Sequence, residues 1–563
     1  MGFFAATKIS RTMEKSEERR LEYNDRIAHF RKLEYPMLKG KRPSSAPLYQ
    51  SQGDIGVTYL DHGGTTLASR SLLKSFGKEM RKNLLANPHS DALNPSVSST
   101  IVAEARLEVL QMFNADPDQF DVVFTANATA SVKLVMECFS GLDQGFDYCY
   151  HRNCHTSLVG VREVANHTRC FASDEETEKW LAHEYNHANG TSDDRPTLFA
   201  YPAQSNMNGQ RLPLQWSHQL RKSGHHPNTY TLLDVAAYVS TTALDLSDHI
   251  SAPDFTVLSF YKIFGFPDLG ALIVRKASSH ILEHRRYFGG GTTEMTTCFG
   301  ETPWVARKKA CLHMQLEDGT IAIRSILALR CAIANHKKLF GDMQDVSKHT
   351  NWLSKSLYDR LSILKHANGV SVCQLYKAPT SSFGDPTTQG ATIAFNIRRS
   401  NGLWTSPYAV GAMLRERNIH IRTGTLCNPG GIASALELSP ADLRTAFDEG
   451  FRCNHQGDVR RDGILFGMVR VTFGAMSTMK DVKIFANFVE RRLVDRGLHM
   501  DKSTILAEAA AESDEGMTTP SLGEGFEKST GKGYMKHWGI FKSLRAVMSG
   551  SRCVLGKYER SVI

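Results

Sequence analysis

The stretch Phe255-Thr-Val-Leu-Ser-Phe-Tyr-Lys-Ile-Phe-Gly-Phe-Pro-Asp-Leu-Gly270 decides how this chain is read. It is apolar and of strand length up to Lys262, then breaks into a turn carrying Gly265 and Pro267. An amine at the end of a buried strand is costly without a partner or a covalent use. The position therefore suggests a lysine that forms a Schiff base. The ordinary alternative is a lysine whose stem lies along the strand end while its ammonium reaches water.

Three further apolar runs end in residues of the kinds a pyridoxal phosphate site requires. Asp121-Val-Val-Phe-Thr leads through Ala126-Asn127-Ala128-Thr129 into the helical pattern Ser131-Val-Lys-Leu-Val-Met-Glu-Cys-Phe. Free backbone N–H groups and the dipole at that helix start favour an anion, and the Thr129 hydroxyl adds a donor. An ordinary Asn/Thr N-cap has the same pattern. Tyr230-Thr-Leu-Leu-Asp234 sets a carboxylate at a strand end. There it would hold a pyridinium nitrogen protonated and keep the ring an electron sink, or else cap a following helix. Leu198-Phe-Ala-Tyr-Pro-Ala-Gln-Ser-Asn206 ends in an amide suited to a ring hydroxyl. His155, at a helix start after Tyr148-Cys-Tyr, reaches the same rim and would stack on the ring, although histidine at a helix start is unremarkable by itself.

Further segments extend the pattern: Tyr59-Leu-Asp-His-Gly-Gly-Thr-Thr-Leu-Ala-Ser, Asn87-Pro-His-Ser, Tyr287-Phe-Gly-Gly-Gly-Thr, Arg422-Thr-Gly-Thr-Leu-Cys-Asn-Pro-Gly and Arg470-Val-Thr-Phe-Gly-Ala-Met-Ser-Thr. In combination and in order, from about Tyr59 to about Val494, they resemble the class V aminotransferase superfamily of PLP fold type I. Within it the chain resembles the cysteine desulfurases and, more narrowly, the N-terminal desulfurase domain of molybdenum cofactor sulfurases. The resemblance implies that Lys262 carries pyridoxal 5'-phosphate, Asp234 pairs with the pyridine nitrogen, His155 stacks on the ring and Asn206 touches its hydroxyl. It implies that Thr129, Ala128 and Ser259 hold the phosphate. Tyr261 stands where many desulfurases have a histidine, which makes it the less secure phosphate ligand. Thr320, in Leu316-Glu-Asp-Gly-Thr, resembles a segment that a partner subunit lends to this site, so a homodimer is expected.

Cys427 separates a desulfurase from a mere cofactor binder, because it follows Arg422-Thr-Gly in an arrangement that resembles the desulfurase catalytic loop. Outside that context a single cysteine reads as a small buried hydrophobe. Within it, Cys427 is the expected persulfide carrier, with the Arg422 cation favouring its thiolate. Glycine and proline around it suit a loop that swings outward with the sulfur. Arg470 is expected to clamp the carboxylate of L-cysteine in a planar two-bond contact. Lys262 would take the Cα proton, Cys427 the sulfur, and L-alanine would leave. Two departures stand out: Thr425 replaces a second loop cysteine, and the turn after Lys262 is one residue short before Leu269.

Composition bounds this reading. A chain of 563 residues, 41% hydrophobic and 22% charged, holds more than one core. Its apolar runs are far shorter than the roughly 20 residues needed to span a bilayer. Met1-Gly-Phe-Phe-Ala-Ala-Thr is too short for a secretory core and has Ala6 where a myristoylation motif wants Ser or Thr. A cytoplasmic location is the default expectation. Eleven cysteines without a C-x-x-C pair or Cys/His array argue against zinc and against a disulfide framework. A net charge of +9, spread through mixed clusters such as Glu17-Glu18-Arg19-Arg20, gives nucleic-acid binding little support.

The pattern along the chain divides into an N-terminal arm (1–50) with a helical stretch from about Lys15 to Lys39, a large α/β domain (51–330) with a mainly parallel sheet, a smaller α+β domain (331–497), and a small, polar tail (498–563) expected to be disordered. Lys536-His-Trp-Gly-Ile-Phe-Lys-Ser-Leu-Arg within that tail has the pattern of a short basic amphipathic helix. The resemblance also implies a second, sulfur-receiving C-terminal domain, for which the tail is too short. The alternative readings are a PLP-dependent C–S lyase of specialised metabolism, which keeps Lys262 but dispenses with Cys427, and a non-catalytic scaffold.

Overall fold

A computed structural model describes residues 2–40, 56–88, 96–183, 195–300, 302–452 and 463–497, with side chains from residue 17 onward. All lie in the compact unit Met1–His499. The tail 498–563, with its basic segment, falls outside the described residues, as do His89 and Ser90.

Seven strands make the principal sheet: β1 (Phe120–Thr125), β2 (Asp147–His151), β3 (Thr168–Phe171), β4 (Thr197–Pro202), β5 (Thr229–Asp234), β6 (Phe255–Ser259) and β7 (Gly270–Arg275). Their order across the sheet is β1-β7-β6-β5-β4-β2-β3. Neighbours from β6 to β3 pair in parallel, and β7 runs antiparallel to both of its neighbours. Strands buried on both faces need no polar alternation, which is why these segments read as continuous apolar runs. The faces are still distinct. Phe199 and Tyr201 of β4 pack with Trp216 in one core, while Leu198 and Ala200 face the opposite one with Phe139 and Phe255.

A second, antiparallel sheet contains β8 (Cys373–Leu375), β9 (Thr392–Arg398), β10 (Trp404–Thr405), β11 (Arg422–Gly424) and β12 (Met468–Thr472), ordered β8-β9-β12-β11 with β10 on β9. Its core holds Phe395, Val469, Val471 and Phe485. The helix Ile323–Phe340 runs without a break through positions 330 and 331, so the change of pattern there is not a break in the backbone.

Two features depart from the periodicity. The N-terminal helix spans Gly2–Glu34 and gives way to a 3₁₀ turn at Pro36–Lys39. Proline disfavours helical backbone at the residue before it, which explains the stop at Glu34. Secondly, Thr58–Tyr59 pair in parallel with Ile419–His420, and Asp61 bridges to Thr472 at the end of β12. Thus residues near the start of the expected 51–330 range lie against the second sheet.

Candidate active site

The expected site residues gather where the parallel strands end. In open α/β sheets the carboxyl ends of the strands form the crevice in which ligands bind. Here β2 leads to His155, β4 to Asn206, β5 ends at Asp234 and β6 at Ser259, with Lys262 in the single helical turn Tyr261–Phe264.

Lys262 is braced from below. The Tyr261 carbonyl accepts from Thr66 N–H at 3.3 Å and from Gly265 N–H at 3.0 Å. Gly265 has φ +77°, and a Cβ there would lie 2.3 Å from the Leu67–Ala68 backbone, so only glycine closes this turn. Burial is the main influence on the Lys262 amine and holds its pKa below the ordinary lysine value. The field of Arg470 acts in the same direction, while Asp234, Cys427 and Asp61 oppose it. These charges therefore share one site. A depressed amine is the form suited to nucleophilic and base chemistry.

Burial also lowers the pKa of His155, with Asp234 opposing and Lys262 reinforcing the shift. Its Nδ1 accepts from Ser157 N–H at 3.1 Å and sits 2.8 Å from Ser157 Oγ. This arrangement leaves the single ring proton of neutral imidazole on Nε2. Asp234 is fixed by one oxygen accepting from Ala236 N–H at 2.9 Å.

At the edge of the sheet, the helix Ala128–Phe139 opens beneath Asn127, whose side chain accepts from Ala130 N–H. Ala128 N–H donates to Ser259 Oγ at 2.9 Å, and Thr129 is exposed beside them. Gly270 lets β7 approach this helix start, since a Cβ there would lie 2.5 Å from Asn127. Ala128, Thr129 and Ser259 are thus brought together. Thr320 is not: it is exposed, its hydroxyl is 3.5 Å from Asn87 Nδ2, and its neighbours Gly319 and Ile321 line a separate cleft of about 720 Å³. That cleft contains none of Lys262, Asp234, His155, Asn206, Cys427 or Arg470.

Cys427 arrives from the second sheet. Leu426 and Cys427 both have φ +53°, a left-handed backbone that non-glycine residues adopt at a cost of about 1 kcal/mol or more each. Three contacts hold it. Thr156 N–H donates to the Cys427 carbonyl at 3.0 Å, Asn206 Nδ2 donates to the Leu426 carbonyl at 2.7 Å, and Leu426 is buried among Met207, Ala394, Ile432 and Met468. Asn428, fully buried, caps the helix Pro429–Ala435 through Gly431 N–H and bonds Asn153 O and Asn206 Oδ1, each at 3.0 Å. The glycines expected to make a mobile loop have a packing role here: a Cβ on Gly430 would lie 2.4 Å from the Arg152 carbonyl. Asn206, expected at a ring hydroxyl, spends its amide on this loop.

Arg470 and Arg422 are cross-strand partners on β12 and β11, so their side chains share a face. Arg470 donates to Asp61 Oδ1 at 2.8 Å and to the Asn206 carbonyl at 2.9 Å, while its buried Nε has no hydrogen-bond partner. Asp61 and Asn428 carry roles that the residue pattern alone left unassigned. Asn-Pro at 428–429 is a helix-start signal; Asp61 lies in a quoted motif but points to no partner in sequence.

The pattern described as Aminotransferase class-V matches residues 58–485. The chain belongs to this family. It is 51% identical over 453 residues to the molybdenum cofactor sulfurase of Neosartorya fischeri, covering 80% of this chain and 52% of that protein. The chain therefore spans about half the length of that relative. Among solved structures, a cysteine desulfurase from Thermococcus onnurineus superposes with TM-score 0.58 at 18% identity, covering 78% of this chain and 94% of that one. A cystine C–S lyase in complex with cysteine persulfide superposes with TM-score 0.52 at 16% identity, covering 77% and 97%. The fold of this chain is thus shared by a cysteine desulfurase and by a C–S lyase.

Class-V members use pyridoxal phosphate. The residues fit that group: an amine depressed by burial, a strand-end carboxylate, a neutral histidine, and a helix start with a serine hydroxyl for phosphate. Among the described residues no cluster suited to a metal ion occurs.

Proposed function

We propose that this class-V chain is a pyridoxal phosphate-dependent cysteine desulfurase that supplies sulfur for molybdenum cofactor sulfuration. The observation that carries the reading is the tethering of Cys427 beside His155, within the electrostatic reach of Lys262. A cofactor binder without sulfur transfer has no need of a cysteine held there in a costly backbone conformation.

When bound, the cofactor supplies an electron sink for the pair released at the substrate Cα. Lys262 would hold it, with Asp234 at its ring nitrogen, His155 at its face, and Ala128, Thr129, Ser259 and Tyr261 near its phosphate; Asn206 would reach its hydroxyl only by releasing the Leu426 carbonyl. Arg470 binds the carboxylate of L-cysteine. Lys262 Nζ, uncharged more readily than an ordinary lysine, takes the Cα proton. Cys427 Sγ, as thiolate, attacks the substrate sulfur; the S–S bond forms as the substrate C–S bond breaks, and the bonding pair stays with the carbon fragment that leaves as L-alanine. Arg422, the cross-strand partner of Arg470, opens the strand that leads to Cys427 and is the cation assigned to that loop. The persulfide then passes sulfur to an acceptor, either the molybdenum cofactor or a separate protein.

Two finer points belong to the same reading. A homodimer would bring a second copy's Thr320 to the phosphate; exposed Tyr287, Met295, Phe299 and Trp304 support such an apolar contact. A cytoplasmic setting is supported by free thiols at all described cysteines. No described helix is long and apolar enough to cross a membrane.

The test is a mass spectrum of the cofactor-loaded protein after L-cysteine, with alanine quantified for wild type and Cys427→Ala. One added sulfur on Cys427, and alanine from wild type alone, is the expected result. Product from both without an adduct would make the chain a C–S lyase.

A further inference from the structure

Arg470 is occupied before any substrate arrives. Its side chain is 4% exposed and already donates to a carboxylate, that of Asp61, whose side chain remains 21% exposed. The contact is 2.8 Å, from Nη2 to Oδ1. A second donor, Nη1, is used by the Asn206 carbonyl at 2.9 Å. Nε is buried and unpaired. A planar carboxylate binds arginine through two parallel N–H groups, and the side-on edge formed by Nε and Nη2 is half vacant and half held by Asp61.

Asp61 is itself placed with some care. The turn Asp61-His62-Gly63-Gly64 is pinned to β12 by Gly63 N–H donating to Thr472 Oγ1 at 2.7 Å. A Cβ on Gly63 would lie 3.4 Å from the Arg470 guanidinium carbon, and one on Gly64 would lie 2.9 Å from Asp61 Oδ2. His62 is buried behind the turn, its Nδ1 2.8 Å from Thr66 Oγ1 and its Nε2 3.2 Å from Ser477 Oγ. The two glycines leave room for a carboxylate lying on a guanidinium and for little else.

Resting on the reading of Arg470 as the substrate-carboxylate binder, we infer that Asp61 is an internal stand-in for that carboxylate and sets substrate affinity by competing for Arg470. A buried guanidinium left unpaired is strongly unfavourable. With Asp61 in place, the empty site keeps its cation neutralised, and an incoming carboxylate exchanges one ion pair for another. The apparent dissociation constant is then the intrinsic one divided by the fraction of molecules in which Arg470 is open. Asp61 is a specificity-setting residue that acts through Arg470. Its removal lowers KM for L-cysteine.

The experiment titrates the cofactor-loaded protein with 3-mercaptopropionate, which carries the thiol and carboxylate of the substrate but no amine, by calorimetry. Wild type is compared with Asp61→Asn and Arg470→Gln, and thermal melting checks that each is folded. The expected result is binding on the order of tenfold tighter in Asp61→Asn, loss of binding in Arg470→Gln, and a matching fall in KM for L-cysteine. Equal or weaker binding in Asp61→Asn, with binding still lost in Arg470→Gln, overturns the inference and leaves the desulfurase reading standing. Unchanged binding in Arg470→Gln removes the foundation and overturns both the inference and the role given to Arg470. Should Asp61→Asn fail to fold, the crystal structure of the wild-type complex decides: an Asp61–Arg470 contact opened by the probe supports the inference, and one intact at 2.8 Å overturns it.

Discussion

Lys262 and Cys427 enter one cleft from opposite kinds of structure. Lys262 follows a fully buried strand of the parallel sheet and stands on a turn closed by Gly265 and braced by Thr66. Cys427 hangs from a narrow antiparallel strand, on two successive left-handed residues held down by bonds from His155's helix and from Asn206, which Asn428 in turn braces. The first is rigid because its neighbours are packed; the second is placed because specific hydrogen bonds oppose its backbone preference. An amine that must meet every substrate at one point benefits from the former. A thiol that must leave with its cargo benefits from a restraint that can be undone a few bonds at a time.

The comparison breaks or sharpens in order of expected effect. Lys262→Ala should abolish cofactor retention, read in visible absorbance, and lower turnover by about 10⁴-fold. Cys427→Ala should keep the cofactor but cut alanine release on the order of 10³-fold; similar losses of cofactor in both variants would erase the distinction drawn here. Asn428→Ala removes a helix cap and leaves buried carbonyls unpaired. We expect a loss of about 2–3 kcal/mol in unfolding free energy, and faster alkylation of Cys427 but not of the buried cysteines, followed by mass spectrometry.

On the rigid side, pH is the lever. Burial brings the pKa of His62 down to about 3, and those of His336 and His349 to about 4. The unfolded chain takes up these protons near pH 6.5 and the folded one does not. Their stabilising contribution is therefore complete above about pH 6.5 and is lost as pH falls toward their folded values. Each should add about 1.4 kcal/mol per pH unit to the slope across that window, measured by denaturant titration, with His62→Gln flattening it. Because His62 supports Thr66, which bonds the Tyr261 carbonyl, the Lys262 turn should loosen with it. The smallest effect is Cys427→Gly, which should melt higher than Cys427→Ala by the equivalent of about 1 kcal/mol, since glycine adopts φ +53° without strain.

The placement of Lys262, Asp234, Asn206 and His155 was legible because each lies at or within four residues of the end of a strand whose apolar run is visible in sequence, and their gathering follows from those strands lying in parallel. Residues 429–431 were legible only as turn formers. Proline and glycine are chosen both for mobility and for close approach, and sequence does not tell a free glycine from Gly430 pressed on the Arg152 carbonyl. The Asp61–Arg470 pair was hidden for a different reason: its members are 409 residues apart, and no local period links them. Thr320 came from resemblance alone, and within one copy of the chain it stays apart from the cluster around Lys262.

The parallel pairing of Thr58 with Ile419 has a bearing on how the molecule is made. Its two halves leave the ribosome about 360 residues apart. At about 5–20 residues per second, the first waits roughly 20–70 s for its partner. During that interval the Thr58–Tyr59 strand has no Ile419–His420 to pair with, and Asp61 and the turn behind it have no β12 to lie on, while the parallel sheet can already close. The nascent chain would thus carry a finished lysine platform whose arginine is not yet synthesised, and the last sheet to emerge is the one that captures the first strand.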